Sequence, residues 1–322
     1  MIIKTKCTRK HYNMNNKIQL LTYIYITIVL LLSSCKSEKK EIIKEIEIAK
    51  KEIKGECPSF ILDNKENNLN ISVFLDLSDR ITQPKTILKD TEYLKSISKA
   101  FTNHVKTKKL ILLQDKIQLY FNPEPANNTI NSVAEQLHIE FDKNSPKAKI
   151  MHTEELYASQ PTEIYNLALA DSKNPKDFPG SDIWRFFKDN VKDYTISDCH
   201  RNILVILTDG YMYHENSKMQ EDKMSSYLTP NSLDKLPLAN SKWETTLNEK
   251  GYGFIKANDG LEDLEVLVIG IESLNPKNPY AIDVMRAYWT NWFNEMGVKK
   301  FKIQNADLAS SVEKVIEDFV NP

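Results

Sequence analysis

Short apolar runs alternate along the chain with stretches of helical periodicity. Asn70-Ile71-Ser72-Val73-Phe74-Leu75-Asp76 is a compact, β-branched run ending in an acid, as a strand buried on both faces does. Residues 85–106 place Ile87, Leu88, Leu94, Ile97 and Phe101 at helical spacings, with Thr91 interrupting the stripe. Lys109–Leu113 and Ile117–Phe121 read as a strand pair, and Ile130–Leu137 as a helix. Residues 140–180 show no clear period and hold Pro146, Pro161, Pro175 and Pro179. Ser181–Val191 is helical again, and Ile203-Leu204-Val205-Ile206-Leu207 is the strongest strand in the chain. Residues 211–263 are polar and irregular. Leu264–Ile271 predicts another buried strand, Ala281–Met296 an aromatic-rich helix, Lys300–Ile303 an edge strand and Ala306–Phe319 a closing helix. Such alternation predicts one α/β domain over residues 57–322, a doubly wound, mostly parallel sheet with insertions at about 140–180 and 211–263.

The first 34 residues follow a different pattern. They carry Lys4, Lys6, Arg9, Lys10 and Lys17 and no acid, and Ile18–Leu32 is a mostly apolar run too short to span a bilayer comfortably. The run ends Leu32-Ser33-Ser34-Cys35, which resembles a bacterial lipobox. That resemblance implies a signal peptide over 1–34, cleavage before Cys35 and lipidation of its thiol, with the protein held in the cell envelope by acyl chains. Met14 gives a more ordinary signal length than Met1. Residues 35–56, rich in Glu and Lys with a thin stripe of Ile42, Ile43, Ile46 and Ile53, predict a charged helical spacer.

Charge narrows the partners. The 322-residue chain has a net charge of -1, and removal of the five basic residues before Cys35 leaves 38 basic against 44 acidic residues, or -6. An acidic body has no basic field for nucleic acid. Eight glycines form neither a GxGxxG nor a P-loop, so nucleotide binding is not expected. No CxxC is present, and His214-Glu215 opens like a zinc-protease motif but meets Lys218 where the second His would stand.

Oxygen-bearing groups instead collect at predicted strand ends, where open α/β sheets bind ligands. The first strand runs into Asp76-Leu77-Ser78-Asp79-Arg80, the strongest one into Thr208-Asp209-Gly210, and Gly180-Ser181-Asp182-Ile183 opens a helix. Two carboxylates with hydroxyls suit a hard divalent cation. Over residues 68–320 the set resembles a von Willebrand factor type A (VWA) domain with its metal-ion-dependent adhesion site. The resemblance implies Asp76, Ser78, Ser181 and Asp209 as ligands of Mg²⁺ (or Mn²⁺ or Ca²⁺), with Thr162 competing for the place of Ser181. Asp79, Asp182, Thr208 and His214 stand beside them, and Tyr211, Tyr213 and His214 are expected at the rim. Arg80 departs from the pattern, because it stands where the family has a second serine and a guanidinium cannot ligate a cation. Either it turns outward, or its charge lies by Asp76 and Asp209 and replaces the metal. The family's strand order also places Cys57 and Cys199 near the amino ends of neighbouring strands, where they could form a disulfide. Trp289 and Trp292 are expected in the core.

The resemblance implies a non-enzymatic protein-binding role, in which a partner carboxylate completes the metal's coordination. The alternatives are a metal-dependent envelope hydrolase with His214 or Glu215 as base, and a structural scaffold with a degenerate metal site.

Overall fold

The computed structural model describes residues 57, 67–173 and 178–322. The expected signal peptide (1–34), the lipidation site Cys35 and the spacer (35–56) lie outside the described residues. Among the described residues no helix is long and apolar enough to cross a membrane.

The core is a six-stranded sheet in the order β3-β2-β1-β4-β8-β9. Its members are β1 (Leu69–Leu75), β2 (Lys116–Tyr120), β3 (Ile139–Glu140), β4 (Arg201–Leu207), β8 (Leu264–Ile271) and β9 (Lys300–Asn305). All pairings are parallel except that of β2 with the short edge strand β3. Strands β1, β4 and β8 are buried along their whole length, which is why they read as unbroken apolar runs. The order reverses between β1 and β4, so a crevice opens at the carboxyl ends of these two strands.

One sheet face is covered by α1 (Thr86–Lys106), α2 (Asn128–Glu135), α3 (Ala148–Asp171) and α8 (Ala309–Val320), which pack with Ile71, Val73, Ile203 and Val205 into one core. The other carries α4, an irregular helix of Ile183–Arg185, a π segment Phe186–Asn190 and Val191–Thr195, and α7 (Ala281–Met296). Trp289 and Trp292 are fully buried there, edge-on to Phe254, with Phe293 stacked on Trp292 and tilted against Trp289.

Three expectations are corrected. Lys109–Leu113 is not a strand; Leu110–Leu112 makes a single 3₁₀ turn before β2. Residues 140–180 are not an irregular insertion, for α3 occupies 24 of them with Pro161 inside the helix. Tyr157, Ile164, Tyr165 and Ala168 form its buried stripe, which holds the helix although Pro161 removes a backbone donor and crowds the preceding turn. Residues 211–263 are not irregular throughout. They include the small sheet β5 (Gln220–Glu221), β6 (Met224–Ser225) and β7 (Gly253–Phe254), and the helices α5 (Pro230–Asp234) and α6 (Trp243–Lys250). Leu228, Leu233, Leu247, Phe254 and Leu261 join the α4/α7 core, and the Trp184 and Trp292 indoles both donate to Ile255 O, at 2.8 and 3.0 Å.

Candidate functional site

Three loops meet at the carboxyl ends of β1 and β4. Asp76 follows β1, its backbone N–H donating to Leu207 O at 3.1 Å. The loop opening α4 is tied to both neighbours. Gly180 N–H donates to Leu77 O at 3.2 Å, and Ser181 bridges Tyr213 beyond β4. The structure therefore brings together Asp76, Ser78, Ser181 and Thr208-Asp209. Thr162 is not among them; it lies on the exposed side of α3, beside the buried Pro161.

Arg80 decides the chemistry of this crevice. It follows Asp79 in a 3₁₀ turn (Asp79–Thr82) that folds its side chain inward until the residue is only 5% exposed. Nη2 lies 2.5 Å from Asp90 Oδ2 and 3.1 Å from Leu207 O, and Nε lies 3.6 Å from Asp76 Oδ2. Asp90 sits in the first turns of α1 and also accepts the Tyr165 hydroxyl of α3 at 2.6 Å. Both Asp76 oxygens are occupied within the protein. Oδ1 accepts Ser78 N–H at 3.0 Å, while Oδ2 accepts the Thr208 hydroxyl at 2.8 Å and faces Arg80. Arg80 thus does not turn outward; its charge lies by Asp76.

The electrostatics follow. Burial alone would drive the Arg80 guanidinium toward its neutral form, but Asp90 and then Asp76 hold its pKa above the ordinary value, so it carries a permanent positive charge. Burial raises the Asp90 carboxyl despite Arg80. Asp209 is pushed up to about 7, first by burial and then by the nearby Asp76 charge, with Arg80 only partly opposing. Burial, then Asp76, raises Asp79, which is otherwise exposed.

These residues do not fit a divalent cation as they stand. A guanidinium lies against the carboxylate oxygen that would have to face the metal, so a dication there would meet its repulsion at short range. Among the described residues no group of three or more His, Cys, Asp or Glu converges as a cation cage. The Ser181 hydroxyl is buried without a hydrogen-bond partner, as is Arg80 Nε. The cleft bounded by Arg80, Asp90, Tyr93, Asp209 and Gly270 measures about 20 Å³, enough for a water and far too small for an organic substrate.

Asp182 is a structural hub. Its Oδ1 caps α4 by accepting Arg185 N–H at 3.0 Å, and its Oδ2 accepts the Ser217 hydroxyl and lies 3.2 Å from His214 Nδ1. Ser217 and His214 both address Asp182 rather than each other, so no hydroxyl is activated by an imidazole here. Tyr213 is exposed and donates its hydroxyl to Glu215.

Sequence reasoning missed Asp90 and Tyr165. Asp90 was legible as an acid on the apolar stripe, one turn before Leu94, whereas Tyr165 lay in a stretch whose prolines hid the helix. Cys57 and Cys199 are each disulfide-bonded.

No family model and no curated protein matches the chain. Among solved structures it is similar to the proximal thread matrix protein 1 of the mussel byssus (11% identity, TM-score 0.34), covering 78% of this chain and 48% of that one. It is also similar to an aerotolerance-related membrane protein from Bacteroides fragilis (10%, TM-score 0.33, 79% and 99%). A third is the pilus adhesin SpaC from Lactobacillus rhamnosus GG (12%, TM-score 0.37, 79% and 29%). The chain thus spans less than half of the mussel chain and less than a third of the adhesin, and likenesses this distant say nothing of what it binds.

Proposed function

We propose that this chain is an envelope lipoprotein anchored through Cys35, and that its VWA-like domain binds a protein partner through the carboxyl-end face of β1 and β4 without using a metal ion. The observation that carries the reading is the buried Arg80 guanidinium seated between Asp90 and Asp76. It supplies inside the chain the positive charge that an adhesion-type site would draw from solution.

That substitution changes what the face can recognise. With the cation covalently fixed and turned inward, no open coordination position is left for a partner's carboxylate. Acids among the groups still facing outward are exposed Asp79, half-buried Asp209 and exposed Glu215, with exposed Tyr213 between the loops. A lysine or arginine of the partner, flanked by an apolar contact to Tyr213, is the complementary ligand. The small cleft, and the absence of a hydroxyl–imidazole pair among the described residues of this crevice, support binding over hydrolysis.

The test is capture of envelope proteins from detergent extract by the full chain, its Asp79→Lys/Asp209→Lys variant, and the wild type in chelator. Capture should survive chelation and be lost in the double variant. Loss of the captured protein on chelation would reinstate a metal-bridged interface.

A further inference from the structure

Leu110, Ile111 and Leu112 are 44%, 73% and 42% exposed, although the sequence reads them as strand. Elsewhere among the described residues, exposed large apolar side chains such as Leu88, Met151 and Leu308 stand singly, which is ordinary for a soluble surface. Three consecutive ones are not ordinary. The turn is held in place rather than loose. Leu112 N–H donates to Lys109 O at 2.8 Å, Leu113 N–H to Leu110 O at 3.1 Å, and Leu113 itself is buried.

Charge surrounds these residues asymmetrically. Lys106 pairs with Glu154 at 2.8 Å and Lys108 with Asp115 at 2.6 Å. Lys109 and Lys116, which flank the turn, have no carboxylate within 4 Å among the described residues. An apolar tip between unpaired lysines stands out on a chain that is acidic overall.

The position is equally specific. The turn joins the end of α1 to the start of β2, at the amino end of the sheet and opposite the Asp76–Asp209 crevice. The chain enters β1 at that same end. Asn67 O accepts Lys108 Nζ at 2.5 Å and lies 2.9 Å from His104 Nε2, and Leu69 N–H donates to Asp115 Oδ1 at 2.8 Å. Asn67, where the described chain leads into β1, therefore lies beside the exposed turn.

We propose that Leu110-Ile111-Leu112, rimmed by Lys109 and Lys116, docks on an anionic lipid surface, its aliphatic side chains entering the headgroup boundary while the lysines meet the phosphates. The inference rests on the anchored-lipoprotein reading for its setting. It adds that the domain lies on the bilayer by its amino end, with the proposed partner-binding face turned away from the membrane.

The test uses the full lipidated chain in vesicles of phosphatidylethanolamine and phosphatidylglycerol, with a photo-crosslinking amino acid replacing Ile111 or, as control, Tyr213. Lipid adducts at position 111 should exceed those at 213 by roughly tenfold or more, and Lys109→Glu/Lys116→Glu should lower the yield at 111. Equal yields, no lipid adduct at 111, or adducts from 111 to another part of the chain or to a second copy would each overturn the proposal. The acyl mass on Cys35, read from the same sample, reports separately on the anchor.

Discussion

Replacing Arg80 by serine both removes the internal cation and restores an Asp-x-Ser-x-Ser loop, Asp76 through position 80. The loss is calculable in outline. Arg80 is the basic side chain in contact with Asp76 and Asp90, both of which are almost fully buried. Removing one partner from a buried ion pair costs about 3–5 kcal/mol, because the other charge is left without compensation. For a domain of this size each kcal/mol moves the melting temperature by about 2–4 °C, so the variant should melt roughly 6–20 °C below wild type in chelator. Part of that loss should return as pH falls, since protonation of Asp90, whose carboxyl burial already raises, removes the uncompensated charge. Another part should return with Mg²⁺ or Mn²⁺, which at ~100 times its Kd adds about 2.7 kcal/mol. Wild type should melt identically with metal and with chelator. Arg80→Lys should fall between, keeping the charge but not the fork that reaches Asp90 and Leu207 O together. The assay is thermal and urea unfolding of the full chain across these conditions. Two results refute the reasoning: stabilisation of wild type by either metal, or an Arg80→Ser variant within about 1 kcal/mol of wild type in chelator.

Other expectations follow from the same geometry. The Asp209 carboxyl rises from an ordinary 3.8 to about 7 in the folded protein, so its contribution to stability is present at low pH and lost as pH climbs through 7. Asp209→Asn should flatten the fall in stability between about pH 4 and 7, by no more than about 4 kcal/mol given its partial exposure; an unchanged pH profile counts against it. Gly270 has φ +111°, and a Cβ there would lie 2.7 Å from Thr208 O. Gly270→Ala should cost about 1–3 kcal/mol in urea unfolding and shift the Thr208-Asp209 loop. Cys57 and Cys199 should be linked to each other, and a non-reduced peptide map in which either is joined to another cysteine would exclude that pairing.

Much of this architecture was legible because burial writes itself into residue type. Strands β1, β4 and β8 are buried on both faces, so nothing but apolar or internally bonded side chains fits, and their bounds fall within a residue or two of the expectation. Helix α7 matches Ala281–Met296 for the same reason. Pattern misled where it lacked a spatial partner. Leu110–Leu112 has a strand's composition and no neighbouring strand, while α3 carries a proline that local rules take as a stop, though its buried stripe against α1 holds the helix regardless. The site was legible in its carboxylates and hydroxyls, which sit at strand ends where spacing places them. The direction of Arg80 was not, because it depends on Asp90 and on Tyr165, 85 positions further along the chain, and both are visible only once α1 and α3 are docked.

That dependence explains why the carboxylates persist without an ion cradle. Asp76 is fixed by three contacts that any occupant of the crevice must respect: Ser78 N–H, the Thr208 hydroxyl and a positive charge. A dissolved cation meets the third need only at sufficient concentration, and it leaves a coordination position through which a partner's carboxylate can bind. A guanidinium meets it at any ion concentration, and through Asp90 and Tyr165 it also ties the β1 loop to α1 and α3. It offers the partner no coordination position. On the proposed reading, recognition at this face rests on what Arg80 leaves unpaired, the acids Asp79 and Asp209, the second only partly ionised at neutral pH. On the proposed reading, an arginine at position 80 would make the crevice independent of metal and reverse the charge a partner has to bring to it.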